Sequence, residues 1–127
     1  MSLKIKTKLL IVDDERDICR YEKNIFEKRN FKVSTAETGS RAITLAKTEK
    51  PDIALIDIHM SKGVSGLEIL EKLLRIHPAC KCIIVTWDKE KALEAKKKGA
   101  VAFVIKPVEL EDLELAITKV VKSLTKK

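Results

Sequence analysis

Five short apolar runs punctuate this chain: Leu9-Leu10-Ile11-Val12, residues 31–35, Ile53-Ala54-Leu55-Ile56, Cys82-Ile83-Ile84-Val85 and residues 101–105. Runs of about four to six residues, rich in β-branched types, mark strands buried on both faces. The 31–35 run alternates instead, with Lys32 and Ser34 between its apolar members, as an edge strand does. Amphipathic stretches fill the gaps. Ile18, Tyr21, Ile25 and Phe26 form one helical stripe; Ala42, Ile43 and Ala46 form a second; Leu67, Leu70 and Leu74 form a third. Leu110, Leu113, Ile117, Val120 and Leu124 form a long final stripe. Ser65-Gly66-Leu67-Glu68 reads as a capping box, and Pro78 stops the helix that it opens. Asp88 is placed to cap the fourth helix and Gly99 to end it. Strand followed by helix, five times over, predicts right-handed crossovers and a parallel sheet covered on both faces. The expected architecture is doubly wound α/β.

No linker, low-complexity tract or repeat breaks the pattern, so residues 1–127 read as one domain with a core over about 8–124. The formal charge of +7 points toward nucleic acid until it is located. Lys4, Lys6 and Lys8 precede the first apolar run, and Lys122, Lys126 and Lys127 lie at the other end. Without these six, residues 9–121 hold 20 of the 26 basic side chains against 19 acidic ones. Aromatic residues are only 4% of the chain, too few for a base-stacking platform. The charge therefore reads as solubility, and no direct nucleic-acid partner is expected. The opening Met-Ser-Leu could also be an expression scar.

The longest unbroken apolar run, residues 100–105, is six residues against the roughly 20 of a membrane span. Nothing at the start resembles a signal peptide. Cys19, Cys80 and Cys82 suit a reducing cytoplasm, and Cys80-Lys81-Cys82 cannot fill a four-ligand zinc site. These two read as a buried strand cysteine and its neighbour. His77 reads as a helix-end residue, and Lys96-Lys97-Lys98 as cations in a last helical turn.

Four of the five runs lead directly into a polar residue: Asp13-Asp14, Asp57, Thr86 and Lys106. Taken singly each is bland, since an Asp after a strand is most often a helix cap. In a parallel sheet, however, ligands bind beyond the carboxyl ends of the strands, and these four positions would share that rim. Three carboxylates there repel, at a cost that a proton or a cation relieves. Oxygen donors with this charge suit Mg²⁺. A carboxylate beside such a metal can attack a phosphoryl group, with a lysine stabilising the transferring oxygens.

The ordered set Asp13-Asp14, Asp57, Thr86, Gly99-Ala100, Phe103 and Lys106-Pro107 resembles the receiver domain of two-component response regulators. The resemblance is chemotaxis-regulator-like and covers about residues 8–124. It implies a flavodoxin-like (βα)5 fold with strand order 2-1-3-4-5, an order that periodicity alone does not supply. It implies that Asp57 is the phosphoacceptor, that Asp14 ligates Mg²⁺ directly and that Asp13 often does so through water. The backbone carbonyl of His59 would complete the metal shell, leaving the His59 side chain incidental. Thr86 and Phe103 would be the switch residues, Lys106 would pair with the phosphoryl oxygen, and Lys106-Pro107 would be a cis peptide. The implied donor is a histidine kinase or histidine phosphotransfer protein. The implied readout is a downstream effector or an output domain, with no catalytic turnover of a separate substrate.

Three departures stand out. Ser61 occupies a usual proline position, the 60–66 loop is one residue longer than the common pattern with Ser65 for a frequent Asp, and Trp87 follows Thr86 where a very small residue is usual. A bulky indole there narrows access to the rim. The alternative is therefore a degenerate receiver that binds partners without phosphorylation. A phosphatase with an aspartyl intermediate wants Asp-x-Asp and a cap domain; a flavin protein wants a glycine-rich first loop, and Asp13-Asp14-Glu15 would repel its phosphate.

Overall fold

The computed structural model describes residues 6–61 and 64–125. Lys62 and Gly63 of the 60–66 loop, Met1-Ser2-Leu3, Lys4, Ile5, Lys126 and Lys127 lie outside the described residues. Five strands alternate with five helices: β1 Thr7–Val12, α1 Arg16–Lys28, β2 Phe31–Ala36, α2 Gly39–Glu49, β3 Ile53–Asp57, α3 Gly66–Ile76, β4 Lys81–Thr86, α4 Lys89–Lys97, β5 Ala102–Ile105 and α5 Leu110–Thr125. All pairings are parallel, in the order β2-β1-β3-β4-β5. The doubly wound (βα)5 fold and its strand order are as expected, with the alternating 31–35 run at an edge. Among the described residues no helix is long and apolar enough to cross a membrane.

Side chains alternate across each strand, so the sheet sorts its apolar residues into two cores. Leu10, Val12, Ala54, Ile56, Cys82 and Ile84 face Ala42, Ala46, Leu70 and Leu73 on α2 and α3. Leu9, Ile11, Ile53, Leu55, Ile83 and Val85 face Cys19 and Phe26 on α1 and Leu113, Ile117 and Val120 on α5. The central strands read as continuous apolar runs because both faces are buried. Two helical stripes depart from expectation. On α1 the buried residues are Cys19 and Phe26, while Ile18 and Tyr21 are exposed. On α5, Leu124 is exposed: 16 residues of helix run about 24 Å and overshoot the sheet.

Local signals act as their chemistry dictates. Asp88 caps α4 through the amides of Glu90 and Lys91, and Gly99, at φ 114°, leaves the helix in a conformation that L side chains resist. Ser65 accepts the Glu68 amide at 3.3 Å, whereas no return bond from Glu68 forms among the described residues, so half of the capping box is present. Lys8, expected in a basic tail, sits in β1 and is tied by its amide to Asp52 and by its ammonium to the Glu49 carbonyl. Cys80 and Cys82 are both buried, and the His77 ring donates to the Pro51 carbonyl at 2.8 Å.

Gly66 sets how closely α3 approaches the end of β3. Its amide donates to the Ile58 carbonyl, and a Cβ at 66 would fall 2.4 Å from the Ile58 Cα and 2.5 Å from the Asp57 carbonyl oxygen. Backbone atoms cannot swing aside. Gly66→Ala should therefore lower the urea midpoint by the equivalent of about 1–3 kcal/mol. Gly39→Ala, whose Cβ meets only side-chain atoms at 3.0 Å or more, should cost clearly less in the same measurement.

Candidate functional site

Register brings the polar residues together. Val12 pairs with Ile56, Asp57 with Val85 and Thr86 with Ile105, so Asp13, Asp57, Thr86 and Lys106 all emerge at one carboxyl edge. Asp57 is 5% exposed, and its Oδ2 accepts a hydrogen bond from Lys106 Nζ at 2.9 Å. Its Oδ1 accepts the His59 amide, also at 2.9 Å. The Lys106–Pro107 peptide is cis, as the resemblance implied.

Asp13 is buried beside this pair. Burial, reinforced by the Asp57 charge, pushes its carboxyl up to about 6, although the Glu15 amide and Lys106 act the other way. Its backbone is pinned on two sides: the Asp13 amide donates to the Ala36 carbonyl and the Cys19 thiol donates to the Asp13 carbonyl at 3.3 Å. Asp14 behaves differently. It is not the helix cap, since Glu15 occupies that position without a side-chain capping bond. Asp14 Oδ2 instead accepts the Ser61 amide at 2.7 Å, and hydrogen bonding from Ser61 holds the carboxyl below the usual range. Asp14 thus braces the loop in which Ser61 replaces proline, a residue that has no amide to give.

Around Thr86 the structure corrects one expectation. The His59 side chain is not incidental. Its Nε2 lies 2.6 Å from Thr86 Oγ1, and its ring stacks on Trp87 with centroids 4.1 Å apart and planes 10° from parallel. Trp87 is 63% exposed at the rim, and Lys106 Nζ lies 5.0 Å from its ring centre. Phe103 is half-buried on β5, paired in register with Ile84, and lines a groove of about 760 Å³ along β5 and α5.

A second cavity of about 270 Å³ opens between α1 and the β5–α5 connection, reaching Asp13, Asp57 and Lys106. Ile18, Tyr21 and Pro107 line it, which explains why the first two are exposed rather than packed. Glu22 lines it too, and burial with the Asp13 and Asp57 charges lifts its carboxyl to about 7. Cys19 and Glu22 were not legible as site residues. The only available signal was their helical spacing with Phe26.

The donor set is one that a hard cation can use. Mg²⁺ typically takes one or two carboxylates and keeps several waters. Asp13 and Asp57 are two carboxylates that feel each other's charge, and the His59 carbonyl accepts no hydrogen bond among the described residues. These oxygens fit Mg²⁺. No three His, Cys, Asp or Glu side chains among the described residues form a ready metal cluster, and Asp14 is engaged with Ser61.

Comparison with known proteins bears on the fold and the family. A chemotaxis protein CheY of Listeria monocytogenes is 35% identical over 118 residues, covering 91% of this chain and 98% of its own. A CheY-like receiver domain protein of Methanospirillum hungatei superposes with a TM-score of 0.85 at 32% identity, covering 91% and 93% of the two chains. A cyclic di-GMP phosphodiesterase of Thermotoga maritima is 37% identical over 118 residues, of which the present chain spans only 31%. The sequence profile of the response regulator receiver domain matches residues 9–118, and with that match and these relatives the chain belongs to the response regulator receiver family.

Proposed function

We propose that this receiver is a phosphoacceptor: Asp57 takes a phosphoryl group from a histidine kinase or histidine phosphotransfer protein, and the modified rim changes what the domain binds. The observation that carries the reading is the contact at 2.9 Å between buried Asp57 and half-buried Lys106, with Asp13 beside it and Thr86 at the neighbouring strand end. An Asp57 carboxylate oxygen attacks the phosphorus of a phosphohistidine. The new O–P bond forms as the N–P bond breaks, and the departing imidazole nitrogen keeps the pair and takes a proton. Lys106 then has a phosphoryl oxygen to bind in place of Oδ2. Asp13, Asp14, Asp57 and the His59 carbonyl would hold Mg²⁺, which when bound neutralises charge on the transferring oxygens. Water later attacks the acyl phosphate and restores the carboxylate, so the domain is modified and reset rather than turning over a separate substrate. The readout is a downstream effector protein or an output domain in a longer chain, in the cytoplasm.

Trp87 supports a second reading, a receiver that binds partners unphosphorylated, because the indole lies against both His59 and Lys106. Mass spectrometry after treatment with acetyl phosphate and Mg²⁺ decides between them. The wild type should gain one base-labile phosphoryl group and Asp57→Asn none. A silent wild type whose Trp87→Ala variant is phosphorylated would establish the second reading.

Two predictions concern the metal. Mg²⁺ at 100 times its dissociation constant should stabilise the fold by about 2.7 kcal/mol in thermal melts, and Asp14→Ala should lose most of that gain. The affinity should also follow the protonation of Asp13. With its carboxyl near 6 in the free protein, protons compete with Mg²⁺ below that pH. Calorimetric titrations should show affinity climbing as pH rises through about 6 and levelling off above it.

A further inference from the structure

The Thr86 hydroxyl carries one proton, and its surroundings leave that proton few acceptors. Thr86 is fully buried, and its Oγ1 already accepts the Asp88 amide at 3.0 Å. A buried hydroxyl proton needs an acceptor. Among the described residues the only other group bonded to Oγ1 is His59 Nε2, at 2.6 Å. With the Thr86 O–H donating to it, Nε2 is the bare nitrogen and the ring hydrogen of His59 is on Nδ1. The ring is held in place by its stack on Trp87.

We infer that His59 is a positioning residue that competes with the phosphoryl group for Thr86. This rests on the phosphoacceptor reading. Phosphoryl oxygens on Asp57 only accept hydrogen bonds, so Thr86 can engage one only by donating its single proton. It cannot donate that proton to His59 at the same time. The His59–Thr86 bond is thus a latch on the resting arrangement, and Trp87 is its backstop. Phosphorylation must break it. The size of residue 87 and the imidazole at 59 are then two halves of one device.

Beryllium fluoride with Mg²⁺, a stable mimic of an acyl phosphate, is the probe. His59→Phe keeps an aromatic ring for Trp87 to stack on and removes the acceptor, while the backbone carbonyl stays. Calorimetry should show beryllium fluoride binding roughly five-fold tighter to His59→Phe than to wild type, the worth of one net hydrogen bond. In a Thr86→Val background the His59→Phe gain should vanish. ¹⁵N NMR of the free wild type should show the Nδ1–H tautomer of His59. An Nε2–H tautomer, equal beryllium fluoride affinities, or a gain that survives Thr86→Val would each overturn the latch while leaving the phosphoacceptor reading intact. A wild type that binds no beryllium fluoride and takes no phosphoryl group would overturn that reading, and the latch with it.

Discussion

Everything at the rim is arranged around the contact between Asp57 and Lys106. A carboxylate as buried as Asp57 is costly to ionise unless a cation answers it, and Lys106 does so at 2.9 Å. The reach depends on strand order: β3 carries the acid, β5 delivers the lysine, and β4 alone lies between them. One ammonium cannot balance the acids around it. Asp13 and Glu22 share the same cavity, and burial lifts both carboxyls well above their ordinary values. The fold thus concentrates negative charge where water is scarce, which is a standing bias toward a hard cation or a proton at this edge.

That arrangement is available because the rest of the chain is conventional in its physics. With helices on both faces, the central strands have no solvent side, and their polar residues are expelled to the strand ends. The 53–56 run illustrates this: every residue of β3 is buried, and the first polar side chain is Asp57 at its last position. For the same reason the strands, the helices between them and the rim residues were legible from the apolar runs and the polar residues at their ends. Strand order was not, because a parallel strand buried on both faces carries no mark of which neighbour it takes. It came from the family resemblance.

Periodicity missed several residues for identifiable reasons. The stripe read on α1 was Ile18, Tyr21, Ile25 and Phe26, but the inward side runs through Cys19 and Phe26 with the acid Glu22 beside the cavity. Ile18 and Tyr21 looked like core because they are large, yet they border an open cavity. Asp14 was read as a direct metal ligand, and nothing in the sequence showed that its carboxylate also accepts the Ser61 amide. The His59 imidazole was discounted because its backbone carbonyl already had a role. Its partners, Thr86 and Trp87, are 27 and 28 positions away in sequence and meet it only through the β3–β4 pairing.

Trp87 bears on both halves of the site because it meets His59 and Lys106 together. An ammonium 5.0 Å from an indole centre is attracted by about 0.5–1 kcal/mol where solvent reaches it, and this indole is mostly exposed. That is too little to hold Lys106 against a buried carboxylate 2.9 Å away. The contribution of Trp87 is therefore orientation rather than binding energy. It limits the directions from which His59 meets Thr86 and from which Lys106 can leave Asp57. A small residue at 87 would free both movements at once. On the proposed reading, movement of Lys106 and of Thr86 would then be uncoupled, whereas the indole now adjoins Lys106 and the His59 ring that holds Thr86.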